Sequence, residues 1–291
     1  MKALRAGLGL SLLAAGYAHL ETYRYRLRTR AVPVRPGAPR LSLLHISDLH
    51  LTRRRRAMLA FLEGLTERLG LVPDLVLATG DLIDDDSGIE PAVTALAGLE
   101  ARLGRFYVLG SHDYFQAHLS LSSFSKYVGA RSGAVRAPRA AVEALEGGLA
   151  DKGWVALTNR SETIETDAGC VRLAGVDDPY LGRARTAHIA RQPGDALAIG
   201  LMHAPDVITP WVHAGFDLVL AGHTHGGQVR LPGIGAVVTN CSLPAALARG
   251  LHELSGTWLH VSPGLGTGTY TRIRFACLPE VTLLRTAPRA R

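Results

Sequence analysis

Aspartate and histidine recur in this chain at five places where an apolar run breaks. They are Ser47-Asp48-Leu49-His50, Gly80-Asp81, Gly110-Ser111-His112-Asp113, Met202-His203 and Gly222-His223-Thr224-His225. Each alone has a plain structural reading: Asp48 as a helix cap, Asp81 to Asp86 as a solvated acidic turn, His203 as a bonded core histidine. Five together are another matter, since gathering that many polar groups at one edge costs on the order of several kcal/mol unless a cation compensates. His223 and His225, two apart in extended backbone, present both imidazoles to one side. Mixed carboxylate and imidazole donors suit Mn, Fe or Zn better than Ca or Mg. Two such ions roughly 3.5–4 Å apart need a bridging ligand, and Asp81, central in chain order, is the candidate. The chemistry implied is attack of an activated water on a phosphate ester.

The elements that must position these residues alternate between strand and helix. Strands are expected at residues 41–47, 75–79 and 106–109, with helices at 55–69 and 88–103 between them, which makes right-handed βαβ units and an α/β fold. Ligand sites in such sheets lie beyond the carboxyl ends of the strands, where the five clusters fall. Residues 114–138 form a long, Ser-rich and basic stretch expected to be a lid or substrate wall. A helix at 140–151 and a hairpin at 163–174 follow. Further strands at 197–202, 216–220, 228–231, 236–239, 257–261, 272–276 and 281–284 imply a second sheet packed on the first.

The ordered set Asp48-x-His50, Gly80-Asp81, Gly110-x-His112-Asp113, His203 and Gly222-His223-x-His225 resembles the calcineurin-like metallophosphoesterases. The longer string Gly222 to Gln228, with Gly175-Val176-Asp177-Asp178 and Gly264-Leu265-Gly266-Thr267, is similar to the bacterial membrane-associated YkuE/YaeI-like subgroup. The resemblance spans residues 41–286. It implies a four-layer α/β/β/α sandwich of two mixed sheets with a dinuclear metal site between them. It also implies that Asp48, His50 and His225 hold one ion, His203 and His223 the other, and Asp81 bridges. His112 would face the phosphate and stabilise or protonate the leaving oxygen, oriented by Asp113. Asp84 and Asp178 are expected to support these ligands from behind. Arg53, in the run Arg53 to Arg56, could gather an anionic substrate, the bland alternative being a solvated first turn of helix.

Residues 1–30 form a separate expectation. Ala6 to Leu20 is almost entirely Ala, Leu and Gly, yet its fifteen residues reach only about 23 Å as helix against a hydrocarbon core of roughly 30 Å. A membrane anchor or interfacial helix is the first reading, with a cleaved signal or an ordinary soluble helix as alternatives. The arginines at 24, 26, 28 and 30 favour keeping the following domain in the cytoplasm rather than exporting it. Residues 31–40 read as a Pro-rich linker, 41–286 as the catalytic domain and 287–291 as a tail. The formal net charge of +7 lies wholly in the first 40 residues, where eight basic side chains face only Glu21, so the neutral body argues against a nucleic-acid partner. The expected partner is a phosphorylated small molecule or a lipid, such as a phospholipid or lipid-linked diphosphate, met at a membrane surface. A soluble nucleotide phosphodiesterase and a catalytically weak metal-binding regulator are the alternatives. Cys170, Cys241 and Cys277 are odd in number and widely spaced, and read as buried thiols rather than a disulfide framework.

The chain departs from the family at Ser111, where Asn is usual and its amide oxygen binds the second ion. A serine hydroxyl is shorter and a poorer neutral donor. Mild chelation should therefore remove the second ion first, and titration calorimetry showing two equal, tight affinities would contradict this.

Overall fold

A computed structural model describes residues 13–117 and 139–289. Two six-stranded mixed sheets stack face to face. The first runs in the order β1 (Arg26–Val34), β14 (Glu280–Pro288), β2 (Ser42–Ile46), β3 (Leu75–Thr79), β4 (Gly104–Val108) and β5 (Trp154–Ala156). The second runs β12 (Gly250–Leu254), β13 (Thr257–Val261), β9 (Leu218–Ala221), β8 (Asp195–Leu201), β7 (Cys170–Gly175) and β6 (Arg160–Ile164). Strands β2, β3, β4 and β5 pair in parallel, as do β7, β8, β9 and β13. A short antiparallel pair, β10 (Arg230–Leu231) and β11 (Gly235–Ala236), stands apart.

Side-chain alternation within each strand sorts residues into layers. Leu43, Leu75, Leu77, Phe106 and Val108 of the first sheet meet Leu173, Ile199, Leu201, Leu218 and Leu220 of the second in a buried inter-sheet layer. Their neighbours Leu44, Ile46, Val76 and Ala78 face outward onto the helices α1 (Arg56–Glu63), α2 (Leu65–Leu69), α3 (Ile89–Ala97) and, after the four-residue turn α4 (Ser111–Tyr114), α5 (Val142–Asp151). On the far side, α6 (Ile208–His213) places Trp211 against Ala198 and Val219. The result is the α/β/β/α sandwich.

Several expectations change, among them the 55–69 helix, which is broken at Gly64, and the 281–284 strand, which lies in the first sheet. Residues 26–34, expected as basic flank and linker, are folded into the first sheet: β1 pairs in parallel along its full length with β14, burying Val32 and Val34. Pro33 is tolerated because β1 is an edge strand, and Arg26 pairs with Glu280 at 2.5 Å. Residues 272–276 form no strand beyond a single bridge from Phe275 to Val229. Buried Arg274 holds that segment instead, donating to the carbonyls of Pro263, Gly264, Gly266 and Cys277. Of the three free cysteines only Cys277 is buried, Cys170 and Cys241 being half-buried. Part of the 6–20 apolar stretch and residues 118–138 of the expected lid lie outside the described residues. Among the described residues no helix is long and apolar enough to cross a membrane.

Within the apolar inter-sheet layer sit two imidazoles, His45 of β2 and His260 of β13, their Nδ1 atoms 2.8 Å apart. Burial, with His260 adding to it, holds His45 well below the ordinary histidine range. Burial pushes His260 down to about 4, Glu280 opposing and Arg30 and His252 assisting. Above about pH 6.5 both are neutral in folded and unfolded chains and nothing depends on pH. Below it the unfolded chain takes up protons that the folded chain refuses, so stability falls by about 1.4 kcal/mol per pH unit per imidazole, for His260 down to about 4. In chelator-treated protein the denaturant midpoint should drop between about pH 7 and pH 5, and replacing His45 and His260 together by leucine should flatten that drop. An unchanged slope would count against this pair as the acid-sensitive element.

Candidate metal centre

The five clusters leave the carboxyl ends of neighbouring parallel strands, β2, β3 and β4 of one sheet and β8 and β9 of the other. Stacking the sheets brings those ends together. Backbone bonds lock the junction: Asp48 N donates to Gly80 O at 3.0 Å, His50 N to Asp81 O at 2.9 Å and Gly222 N to His203 O at 2.9 Å. Across the sheets, His223 N donates to Asp48 Oδ1 at 3.0 Å. Local conformation serves the same end. Asp48, His50, Asp81, His223 and His225 all have left-handed backbone, with φ of 50°, 45°, 51°, 66° and 49°. Non-glycine residues rarely adopt it, at a cost of roughly 1–3 kcal/mol each, and such residues persist where the surroundings over-determine them. The flanking glycines make room, because a Cβ on Gly222 would lie 1.9 Å from Ser47 Oγ and 2.4 Å from Asp48 Oδ2, and one on Gly110 would lie 2.4 Å from Asp81 Oδ1.

The imidazoles show what the cavity is built for. His203 Nδ1 donates to Thr79 O at 2.7 Å, His223 Nε2 to Asn240 O at 3.0 Å and His50 Nδ1 to Asp84 Oδ1 at 2.9 Å. Carbonyl and carboxylate oxygens only accept, so each bond fixes the tautomer and leaves the inner nitrogen of a neutral ring with a bare lone pair. Each inner nitrogen faces a second imidazole: His203 Nε2 and His223 Nδ1 lie 3.3 Å apart, and His50 Nε2 lies 3.1 Å from Nε2 of His225, whose Nδ1 has no partner among the described residues. Between the pairs lies Asp81 Oδ2, 3.5 Å from His50 Nε2 and 3.3 Å from His203 Nε2. Facing lone pairs repel unless a cation or a proton lies between them. The ligand atoms of Asp48, His50 and His225, and those of Asp48, Asp81 and His203, each lie within 4.8 Å of one another, so the donor set fits divalent metal.

Without metal, protons take that role unequally. Burial opposes charge on His203, but the Asp81 and Asp48 carboxylates outweigh it and lift the imidazole well above its ordinary range. Burial, with charged His203 adding to it, pushes His223 down to about 4, and burial with His50 beside it holds His225 well below the usual value. Burial likewise resists ionisation of Asp81, yet His203, His112 and His50 together hold its pKa well below the usual carboxylate range.

His112 sits on α4 with its backbone N–H on Asp81 Oδ1 at 2.8 Å and a third of its side chain exposed. Burial disfavours its charge, but Asp81 and Asp84 prevail and raise it to about 9. Its Nδ1 forms an ion pair with Asp84 Oδ1 at 3.0 Å, without hydrogen-bond alignment, on the same oxygen that holds His50. Asp113, expected to orient His112, does something else. Its carboxylate accepts the backbone N–H groups of Leu82, Ile83 and Gly110 at 2.7, 3.1 and 2.9 Å, tying the end of β3 to the end of β4. The reason is helical geometry: adjacent residues on one turn point in different directions, so the carboxylate next to a histidine in sequence is not next to it in space. Ser111 opens the same turn, half-buried.

Asp178, beyond β7, is fully buried; Oδ1 accepts from Tyr180 N at 3.0 Å and Oδ2 has no partner among the described residues. Burial raises it to about 6, His203 opposing and Asp81 assisting. Arg53 is exposed at the rim of a cleft beside the centre, whereas Arg55 turns away to the carbonyl of Thr267. Sequence reasoning missed Asn240, whose carbonyl carries no motif. It also missed a buried chain of donors ending on Asp48. Ser47 Oγ donates to Asp48 Oδ2 at 2.6 Å and Thr79 Oγ1 donates to Ser47 Oγ at 2.7 Å. His45 Nε2 is 2.9 Å from Thr79 Oγ1 and must donate to it, so His45 Nδ1 accepts from His260. Both outlying histidines thus belong to the centre's outer support.

Asp84 and Asp113 should therefore fail differently. Asp84→Asn should weaken divalent-metal affinity by about 10–100-fold, beyond any lowering of the melting temperature of the metal-free protein from its lost charge. Asp113→Ala should chiefly lower that melting temperature, because it abandons three buried N–H groups. Metal titration and calorimetric melting of both variants read the two effects, and a reversed pattern would restore Asp113 as the partner of His112.

Residues 41–227 match the family model described as calcineurin-like phosphoesterase, more than half of the 291-residue chain. The chain is 28% identical over 272 residues to an uncharacterized metallophosphoesterase, YkoQ, of Bacillus subtilis, covering 91% of this chain and 92% of that protein. It is 27% identical over 282 residues to the phosphodiesterase YaeI of Escherichia coli, covering 92% and 91%. It is 29% identical over 287 residues to the UDP-2,3-diacylglucosamine pyrophosphatase LpxG of Chlamydia trachomatis, covering 84% and 83%. With strand ends, imidazole pairs and carboxylates arranged as described, the chain belongs to the calcineurin-like phosphoesterase family.

Proposed function

We propose that this chain uses two divalent ions, drawn from Mn, Fe or Zn, to hydrolyse phosphate mono- or diesters of an amphiphilic substrate at a membrane surface. The observation that carries the dinuclear reading is the position of Asp81 Oδ2 between two facing imidazole pairs, 3.5 Å from one and 3.3 Å from the other. Asp48, His50 and His225 would hold one ion, His203 and His223 the other, Asp81 both, and Ser111 would stand beside the second. Bound there, the ions supply Lewis acidity and positive charge to phosphoryl oxygens and to the attacking water. The protein's own part is orientation and proton handling. His50, His203 and His223 are fixed by Asp84, Thr79 and Asn240 so that only lone pairs face inward. His112, partly exposed and held by Asp84, is the group positioned to deliver a proton to the leaving oxygen.

The relatives named phosphodiesterase and UDP-2,3-diacylglucosamine pyrophosphatase support a phosphate ester or lipid-linked diphosphate substrate. The membrane reading draws support from an apolar surface near the centre. Residues 13–21 are helical and expose Leu13, Tyr17 and Leu20, and they pack onto the 272–275 segment through Arg274 N to Ala18 O at 2.8 Å. Tyr270 and Ile273 are also exposed, as are Leu231 and Ile234 near Arg230, whose backbone N–H donates to Phe275 O at 2.9 Å, and Arg24 follows the helix in the chain as a cation for anionic headgroups. The basic flank supports a catalytic domain facing the cytoplasm.

Asp81→Asn removes the shared charge while keeping shape. The variant should fold, bind fewer than the two ions per chain expected of the parent protein by elemental analysis, and lose at least about 100-fold in kcat/KM on bis-(4-nitrophenyl) phosphate with Mn, a loss of roughly 3 kcal/mol in transition-state stabilisation. Retained turnover in a folded variant would overturn the assignment.

A further inference from the structure

Beside the metal centre lies a cleft of about 450 Å³ whose walls include Arg53, Arg54, Arg272, Thr269, Asp85 and Asp86. Cleft and centre share a wall through Asp84. Its Oδ2 accepts Thr269 N at 2.6 Å, its carbonyl accepts Ala117 N at 2.7 Å, and its Oδ1 meets His50 and His112. The two carboxylates of the cleft are already engaged: Asp85 Oδ1 with Ser87 N at 2.9 Å, Asp86 Oδ1 with Ala141 N at 2.9 Å and Asp86 Oδ2 with Gln116 Nε2 at 2.9 Å. The three guanidinium groups are not. Among the described residues none of Arg53, Arg54 and Arg272 makes a side-chain hydrogen bond or ion pair, and Arg272 Nε and Thr269 Oγ1 are buried with no partner at all. Nor do residues 1–12, 118–138 and 290–291 contain an Asp or Glu side chain.

Buried donors without acceptors cost roughly 1–3 kcal/mol each, so a site that keeps them is shaped for a ligand that supplies acceptors. Several guanidinium groups around one cleft match the tetrahedral oxygens of a phosphate better than a cation or a neutral group. The cleft lies close by, because Thr52 follows His50 by two residues and Asp85 follows Asp84 by one. We infer that this cleft, walled by Arg53, Arg54, Arg272 and Thr269, is a subsite for a second phosphoryl group, so that the enzyme selects substrates carrying two phosphates, such as diphosphate diesters, over simple phosphodiesters. The inference rests on the phosphoesterase reading for the reacting phosphate, but the anion subsite itself does not need turnover.

The test is Arg54→Gln with Arg272→Gln in the full chain, first checked for an unchanged melting temperature. In the Mn-loaded protein, KM for a nucleoside diphosphate sugar should rise at least tenfold more than KM for bis-(4-nitrophenyl) phosphate. Equal losses on both substrates, or no loss on either, would overturn the subsite. A second arm needs no catalysis: calorimetry of inorganic pyrophosphate binding to chelator-treated protein should show salt-sensitive binding that weakens at least tenfold in the double variant. Absence of that binding in the parent protein overturns the subsite even if the enzyme is active. If no phosphate ester is turned over while pyrophosphate binding is lost in the variant, the subsite stands and the phosphoesterase reading falls.

Discussion

Two pairs of imidazole nitrogens point their lone pairs at each other across one carboxylate oxygen, and the rest of the structure exists to keep them there. Left alone the arrangement is unfavourable: buried neutral rings repel lone pair to lone pair, and the proton that relieves one pair drives its neighbour's affinity down, as His203 and His223 show. Without a cation, only a proton held within a pair relieves the repulsion. The surroundings enforce it, through outer bonds to Thr79, Asn240 and Asp84 that fix the tautomer and direction of His203, His223 and His50. A divalent cation turns the same geometry from a cost into binding energy.

Enforcement reaches deep into the sandwich. Five candidate ligands sit in left-handed backbone at the ends of strands whose interiors are locked by apolar packing on both faces, so the strain is held by the β-ladders rather than by the loops themselves. Asp113 contributes by pinning the ends of β3 and β4 rather than by touching the chemistry, and Asp84 takes the orienting role for both His50 and His112. From the opposite side a polarised chain runs from His260 through His45, Thr79 and Ser47 to Asp48, each group donating once toward the carboxylate. It crosses from the second sheet to the first, so the packing of the two sheets and the orientation of Asp48 are mechanically the same feature.

The N-terminal region joins this architecture instead of hanging from it. Strand β1 lies beside β14 at the edge of the first sheet, and Glu21 accepts the backbone N–H groups of Ala276 and Cys277, which places the exposed apolar helix of residues 13–21 near the catalytic rim. Of the basic residues in the first 40, Arg26, Arg28 and Arg30 lie on β1 and so on the folded body.

Sequence alone determined what depends on residue type and local period: the alternating strands, a second sheet packed on the first, and the Asp and His residues that converge, the four-layer order being what the family resemblance implies. Apolar alternation announces strands because only one face of each can meet the other sheet, and an Asp or His at a strand's carboxyl end stands out against that background. Tertiary structure decided what depends on direction and on partners far away in the chain. That Asp84 rather than Asp113 faces His112, that Asn240 holds His223, and that His45 and His260 connect to Asp48 follow from side-chain vectors and from contacts spanning up to 215 residues. So does β1, whose arginines mask its pattern and whose partner lies 254 residues onward. Spacing in a sequence constrains the turn a residue occupies; only the packed sheets fix which atom it meets.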